Sequence, residues 1–421
     1  MSDKPRLIID CDPGVDDALA ILYAFSKKNI DPYSDIAITT VAGNVGCNQT
    51  TANAIKLVVL KKPGIDVIIF KGCSMAMDGK LPSAASVHGR DGLGEVPIRF
   101  IDEGLNIEYA ITKMREFEKK NIENGKDAVS FFTELVSNHS AEKPKNVLVC
   151  TGPLTNIATV LNLIGRNQHH KFWSSFKTVV IMGGAIHVPG NVTPFAEFNF
   201  FADPMAARIV LDSWKDIPSK QKSTDLILVT LDVTEKVDIQ WSELSTKLEP
   251  DSLDVVPRFV SCMLQKYFLF HGVMANPVRD KDGKRIKDKA INKFRRSLAE
   301  EFTKKRLGGS SGLKSLFRFC YLHDPLAMYV ALNASEMRKY CKKITLAVSI
   351  DPGDTRGMCM EVASRPASIE SLNSKGKATS HQEGATILYL DHSKFITDHF
   401  ESPDKKFRKE LLSALGFGND V

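Results

Sequence analysis

Apolar residues run in short blocks that stop at glycine or polar punctuation: Leu7 to Asp10, Ile36 to Asn44, Val67 to Gly72, Val147 to Gly152, Val179 to Gly184 and Leu226 to Asp232. Blocks without polar alternation predict strands buried on both faces, the habit of a parallel sheet. Between them lie segments of helical period. The clearest carries Val15, Ala18, Leu19, Leu22 and Phe25, with others at Thr51 to Leu60, Leu154 to Leu163 and Pro204 to Leu211. Ala385 to Asp391 followed by Lys394 to Leu415 predicts a closing strand and an amphipathic helix. Strand and helix in alternation predict an α/β fold with an open, doubly wound, mostly parallel sheet, whose ligand site lies beyond the carboxyl ends of the strands.

The 421 residues are read as a single α/β domain, with charged insertions at 103–127 and 276–312. Hydrophobic residues make up 43% and charged residues 25%, the balance of a globular protein. No apolar stretch is long enough for a membrane span, and Met1 to Leu7 lacks the apolar core of a secretory signal. Eight scattered cysteines without a CxxC pair predict reduced thiols and a cytoplasmic protein, the nucleus being the other compartment of that kind. The total charge of +6 is local: residues 279–318 carry net +9, which leaves −3 on the rest. A surface built to bind nucleic acid is therefore not expected, and neither nucleic acid nor membrane is expected as a partner.

The densest chemistry follows the first strand. Asp10-Cys-Asp12-Pro-Gly14-Val-Asp16-Asp17 places four carboxylates in eight residues. Such a cluster must hold protons or bind a cation, and an all-oxygen donor set favours Ca²⁺ or Mg²⁺. One Asp could simply cap the helix that follows, which leaves Asp10 and Asp12 unexplained. At His323-Asp324-Pro325 the acid could be a helix cap with proline at the first helical position, or a functional carboxylate. His323 is either a satisfied surface histidine or, with an ordinary pKa near 6.5, a proton donor at neutral pH. Asn191, Glu197 and Asn199 lie in a loop with donors and acceptors suited to sugar hydroxyls, or in a solvated turn. His88-Gly89 and Met182-Gly-Gly184 are weaker signals.

Taken in order, Asp10 to Ala18, Ala42-Gly-Asn44, His88-Gly89, Thr151 to Asn156, Met182 to Gly184, Ala196 to Asn199 and His323 to Pro325 resemble the inosine-uridine preferring nucleoside hydrolases. The resemblance implies hydrolysis of the N-glycosidic bond of ribonucleosides of the uridine and inosine type. It also implies a tightly held Ca²⁺, a role in nucleoside salvage and a homo-oligomer, dimer or tetramer. By position, Asp12, Asp17, Asp324 and the carbonyl of Thr151 would hold the metal. Asp12 would be general base to the calcium-bound water in a reaction with an oxocarbenium-like transition state. His323 would protonate the leaving base, and Asn44 would support both metal and ribose. Asp16 would hold the 2′-hydroxyl, Asn199 the 3′-hydroxyl, and Glu197 with Asn191 the 5′ end. His88 would lie near the base, while Met182 and Asp324 would also face the substrate.

The stretch from Tyr267 to Tyr321, which in members of that family supplies mobile side chains that close over the base, is enlarged here by the basic insertion, and this puts base preference in doubt. Two rivals remain at this point. A haloacid-dehalogenase-like phosphohydrolase also places DxD after a first strand, but Gly14 and the Asp16-Asp17 pair do not fit its motif. A nucleoside-binding pseudoenzyme or sensor would keep the pocket and lack turnover.

Overall fold

The computed structural model describes residues 4–80, 83–96, 112, 116, 126–140, 145–240, 243–244, 255–275, 319–362, 385–391, 395–396 and 406–417. The insertion at 276–312, all of the basic segment 279–318 and nearly all of 103–127 lie outside them.

Eleven strands are present among the described residues: β1 (Leu7–Cys11), β2 (Ile36–Thr40), β3 (Val67–Lys71), β4 (Asn146–Cys150), β5 (Phe176–Met182), β6 (Asp225–Val229), β7 (Asp238–Gln240), β8 (Phe319–Tyr321), β9 (Cys341–Val348), β10 (Cys359–Glu361) and β11 (Ala385–Leu390). The helices that matter for the site and its support are α1 (Val15–Ala24), α2 (Cys47–Lys61), α3 (Ala128–Ser137), α4 (Thr155–Ile164), α5 (Pro204–Lys215), α6 (Val255–Ala275), α7 (His323–Leu332) and α8 (Lys406–Ala414).

Nine strands form one sheet in the order β10-β9-β11-β6-β5-β4-β1-β2-β3. The run from β11 to β3 is parallel, and β9 pairs antiparallel with both β11 and β10. The mostly parallel, doubly wound expectation therefore describes the sheet, with an antiparallel edge added.

The unbroken apolar runs follow from burial on both faces. In β1, Leu7, Ile9 and Cys11 enter one core while Ile8 enters the other; Val147 and Val149 of β4 likewise oppose Leu148 and Cys150. Strand side chains alternate by two, so a slip of one residue would exchange the two faces. The first core is closed by α1, α2, α6, α7 and α8, the second by α3, α4 and α5.

Chain direction sets the location of the site. From β1 the connections step through β2 to β3 on one side, whereas β4, β5 and β6 step away on the other. The reversal falls between β1 and β4, and at such a point the loops beyond the carboxyl ends part to leave a crevice. Among the described residues no helix is long and apolar enough to cross a membrane, and all eight cysteines are free thiols.

Candidate active site

The crevice beyond β1, β4 and β5 holds a cavity of about 300 Å³, within the size range of small-molecule pockets. Asp16, Asn44, His88, Thr151, Met182, Asn191, Glu197, Asn199, His323 and Asp324 all line it. Residues more than 300 positions apart in sequence meet there because β1 and α7 deliver their loops to the same end of the sheet. A larger hollow of about 470 Å³ lies at the amino ends of the strands. Arg6 pairs there with Asp35, and Lys126 with Glu134.

The acids after β1 divide into scaffold and site. Asp10 is fully buried and accepts hydrogen bonds from Thr39 Oγ1 (2.6 Å) and Asn156 Nδ2 (2.8 Å), tying β1 to β2 and α4. Asp12 Oδ2 accepts from the Asn44 backbone N–H at 2.7 Å, while its Oδ1 has no hydrogen-bond partner among the described residues. Asp17 accepts from the Gly14 N–H (2.9 Å), Asn44 Nδ2 (3.0 Å) and Thr151 Oγ1 (2.7 Å). Asp16 takes the Tyr267 hydroxyl on Oδ2 at 3.2 Å, and its Oδ1, 3.7 Å from His88 Nδ1, is like that of Asp12 buried without a hydrogen-bond partner among the described residues.

Carboxylate oxygens of Asp16, Asp17 and Asp324 lie within 4.8 Å of one another. Burial pushes Asp16 and Asp17 up to about 6, and for Asp17 the charge of Asp16 adds to it. Asp12 and Asp324 are likewise raised well above the usual carboxylate range, burial coming first and neighbouring carboxylates next. Like charges packed without solvent hold protons or take a cation. Buried oxygens lacking partners and an all-oxygen set fit a hard divalent cation. Asp12 is not in the closest group of three, and the Thr151 carbonyl, expected as a ligand, accepts from Asn199 Nδ2 at 2.7 Å.

Glycines let the backbone close around Asp12. A Cβ on Gly152 would stand 2.7 Å from Asp12 Oδ1, and one on Gly43 would collide with Oδ2. The Thr151-Gly152 and Gly43-Asn44 pairs are thus requirements of close approach.

The opposite wall is built on β5 and the turn after it. Glu197 caps the short helix Phe198–Ala202, accepting from the N–H groups of Asn199 (2.8 Å), Phe200 (3.1 Å) and Gly184 (2.9 Å). Burial nevertheless lifts its pKa to about 7. Asn199 Nδ2 also reaches the Met182 carbonyl at 3.2 Å. Asn191 is exposed at the rim, its Oδ1 accepting from the Phe198 N–H at 2.9 Å.

Two expectations about the His323 loop are corrected. Asp324 does not cap its helix: α7 begins at His323, Leu322 holds the cap position, and no side chain makes a cap bond. His323 is not a surface histidine of ordinary acidity. It is buried, with Nδ1 2.7 Å from Thr234 Oγ1, and burial together with His88 lowers its pKa to about 4. The ring is therefore neutral at pH 7. His88 is lowered to about 4 as well, and its Nδ1 accepts the Val15 N–H at 3.0 Å.

Sequence reasoning did not single out His271, Thr234 or Glu235, and named Tyr267 and Tyr321 only as the bounds of a stretch expected over the base; Tyr267, His271, Tyr321 and Glu235 all line the cavity. Tyr267 and His271 are one helical turn apart on α6, a spacing that signals a shared face once the helix is known.

The family model for the inosine-uridine preferring nucleoside hydrolases matches residues 7–397. The chain belongs to this family. An inosine-uridine preferring nucleoside hydrolase of Leishmania major is 37% identical over 211 residues, 50% of this chain and 58% of that protein. Uridine nucleosidase 1 of Arabidopsis thaliana is 36% identical over 214 residues, 50% and 54% of the two chains. A pyrimidine-specific ribonucleoside hydrolase of Shewanella baltica is 31% identical over 282 residues, 65% of this chain and 75% of that one. This chain thus spans little more than half the length of the first curated relatives it matches. Among solved structures, a plant nucleoside hydrolase matches with a TM-score of 0.62 at 23% identity over 98% of both chains. An inosine-guanosine nucleoside hydrolase matches at 0.63 and 21%, over 99% of this chain and 100% of that one. Likeness at that identity supports the fold.

Proposed function

We propose that the chain hydrolyses the N-glycosidic bond of ribonucleosides of the uridine and inosine type, giving ribose and free base, with Ca²⁺ as its resident cation. Residues 1–421 would form one domain, acting in the cytoplasm or nucleus in nucleoside salvage. The observation that carries the proposal is the convergence of Asp16, Asp17 and Asp324 at a cavity that Asp16 and Asp324 line together with His323, His88, Glu197 and Asn199.

Breaking a ribosidic C–N bond collects positive charge on the sugar and negative charge on the departing base, so the site must grip the sugar, place a water and stabilise the base. Asp12, Asp17, Asp324 and the Thr151 carbonyl are the residues that would hold calcium, which when bound supplies the charge that acidifies a water and attracts a vicinal diol. Asp12 accepts the proton of the attacking water through Oδ1, the oxygen with no partner. Asn44 keeps Asp12 and Asp17 in register through the bonds described above. Asp16 accepts from the 2′-hydroxyl, Asn199 holds the 3′-hydroxyl, and Glu197 and Asn191 face the 5′ end beside Met182.

His323 acts on the leaving base. A Thr234 hydroxyl that donates to Nδ1 leaves the hydrogen of the neutral ring on Nε2, from which it would bond to the base as charge develops there. Uridine cleavage in ¹⁸O-labelled water tests the reaction class. One label on the released ribose and none on uracil is the expected product pattern; a phosphorylated sugar, or no sugar at all, contradicts hydrolysis.

A further inference from the structure

We propose that Arg356 is a positioning residue for the sugar-binding wall: its guanidinium anchors the far end of the short helix Phe198–Ala202, which carries Asn199 and is capped by Glu197. The proposal rests on the nucleoside-hydrolysis reading above, in which those two side chains hold the ribose.

A helix of five residues does not hold its own place, because nucleation costs more than so few bonds return and its last carbonyls have no partner within the helix. At its start Glu197 supplies the cap. At its end Arg356, from the loop between β9 and β10, donates from Nε to the Phe201 carbonyl at 3.0 Å and from Nη2 to the Ala202 carbonyl at 3.2 Å. Its Nη1 donates to Asp78 Oδ2 at 2.7 Å, in the segment after β3. Because β10 and β3 are the outermost strands of the sheet, one guanidinium ties the helix to loops that flank opposite edges. Three donors on three separate acceptors use the rigid fork of an arginine, which the point charge of a lysine matches only in part.

The surroundings are shaped for this contact. Arg356 is 7% exposed, and its guanidinium carbon stands 5.5 Å from the centroid of the Phe201 ring. Gly357 has φ +74°, and a Cβ there would stand 2.6 Å from Phe201 Cα, so the loop backbone lies directly against the helix. The residue after the helix makes a second tie to the same segment: Asp203 Oδ2 accepts from the Met77 N–H at 2.9 Å and from Thr155 Oγ1 at 2.7 Å. Arg356 does not itself line the cavity, so its effect passes through Asn199, whose Nδ2 reaches the Thr151 and Met182 carbonyls from this helix. A released helix end lets that amide drift, and misplacement by about 1 Å is enough to cost about 100-fold in rate.

The test compares calcium-loaded wild type with Arg356→Met, which keeps the length and removes every donor, with Arg356→Lys, and with Asp78→Asn, a milder change at the partner carboxylate. Folding is checked first by thermal melting. Arg356→Met should lose about tenfold or more in kcat/KM for uridine, with KM raised, part of the loss restored in Arg356→Lys and a smaller loss in Asp78→Asn. Exchange of backbone amides, followed by mass spectrometry, should quicken over residues 197–203 and stay as in wild type over β1 and β4. Where Arg356→Met does not fold, Asp78→Asn decides on the same two readouts. Uridine kinetics indistinguishable from wild type, or a loss without quicker exchange over 197–203, would overturn the proposal. Quicker exchange across the whole sheet, or no recovery in Arg356→Lys, would overturn it too by making Arg356 a general stabiliser.

Titration of ribose by calorimetry separates this role from the reaction class. Weaker ribose binding to Arg356→Met, together with the local quickening, supports the positioning role even if wild type releases no ribose from uridine, in which case only the hydrolysis reading fails. Ribose that binds wild type and variant alike, or binds neither, overturns the role of Arg356 whatever the turnover.

Discussion

Removing calcium probes the acidic cluster through stability, independently of turnover. Burial holds the folded-state pKa of Asp16 and Asp17 at about 6, against 3.8 for the exposed group. A carboxyl whose pKa is raised by folding is protonated more readily in the folded chain, so the cation-free protein loses stability as pH rises from about 4 to about 6, and the loss is complete above that. One group accounts for about 3 kcal/mol at about 1.4 kcal/mol per pH unit. Because the two acids interact, the pair is worth between about 3 and 6 kcal/mol rather than a strict sum. Calcium needs the ionised form and cancels the penalty. The melting temperature of calcium-loaded protein should therefore exceed that of calcium-stripped protein by a margin that grows from pH 4 to pH 6 and then levels, reaching about 5 °C for a chain of this length. Scanning calorimetry at unit pH intervals measures it. A margin that is absent, or the same at pH 4 and pH 7, would refute the reasoning that a cation is held at this acidic cluster.

Other consequences are narrower. Gly152→Ala places a Cβ 2.7 Å from Asp12 Oδ1 and should cost about 100-fold in kcat with folding retained, read by steady-state kinetics and melting. His323→Ala should impair uridine and inosine more than p-nitrophenyl riboside, since an activated leaving group needs no hydrogen bond from the ring; equal losses would remove the leaving-base role. Deleting residues 281–305 should leave measurable ribose release, whereas complete loss in a folded protein would make the basic insertion part of the site.

The parts of the fold that could be read from the sequence are those whose pattern is local. β1, β2, β4 and β5 announce themselves because burial on both faces leaves unbroken apolar runs, and α1, α4 and α5 because one stripe is buried. Helix α6 escapes this logic: over Val255–Ala275 apolar residues surround most of the axis and Pro257 stands in its first turn, so no clean stripe appears. His271 was missed along with it. Asp12, Asp16, Asp17 and Asp324 were legible as unusual acids in punctuating loops. Their partners were not, since the Thr151 hydroxyl on Asp17 and the Tyr267 hydroxyl on Asp16 bridge distant segments. The same applies to the acidity of His323, because its loop composition suggests an exposed ring whereas α6, α7 and β8 bury it.

The central claim is that the cluster around Asp12 hydrolyses ribonucleosides. Ribose release in phosphate-free buffer, measured for uridine, cytidine, inosine and adenosine with calcium present, tests it most directly when wild type is set beside Asp12→Ala and Asp324→Ala. The account predicts release by wild type, fastest with uridine or inosine, and none above background from either folded variant. Release that survives in Asp12→Ala, or silence from calcium-loaded wild type on all four nucleosides, would contradict it.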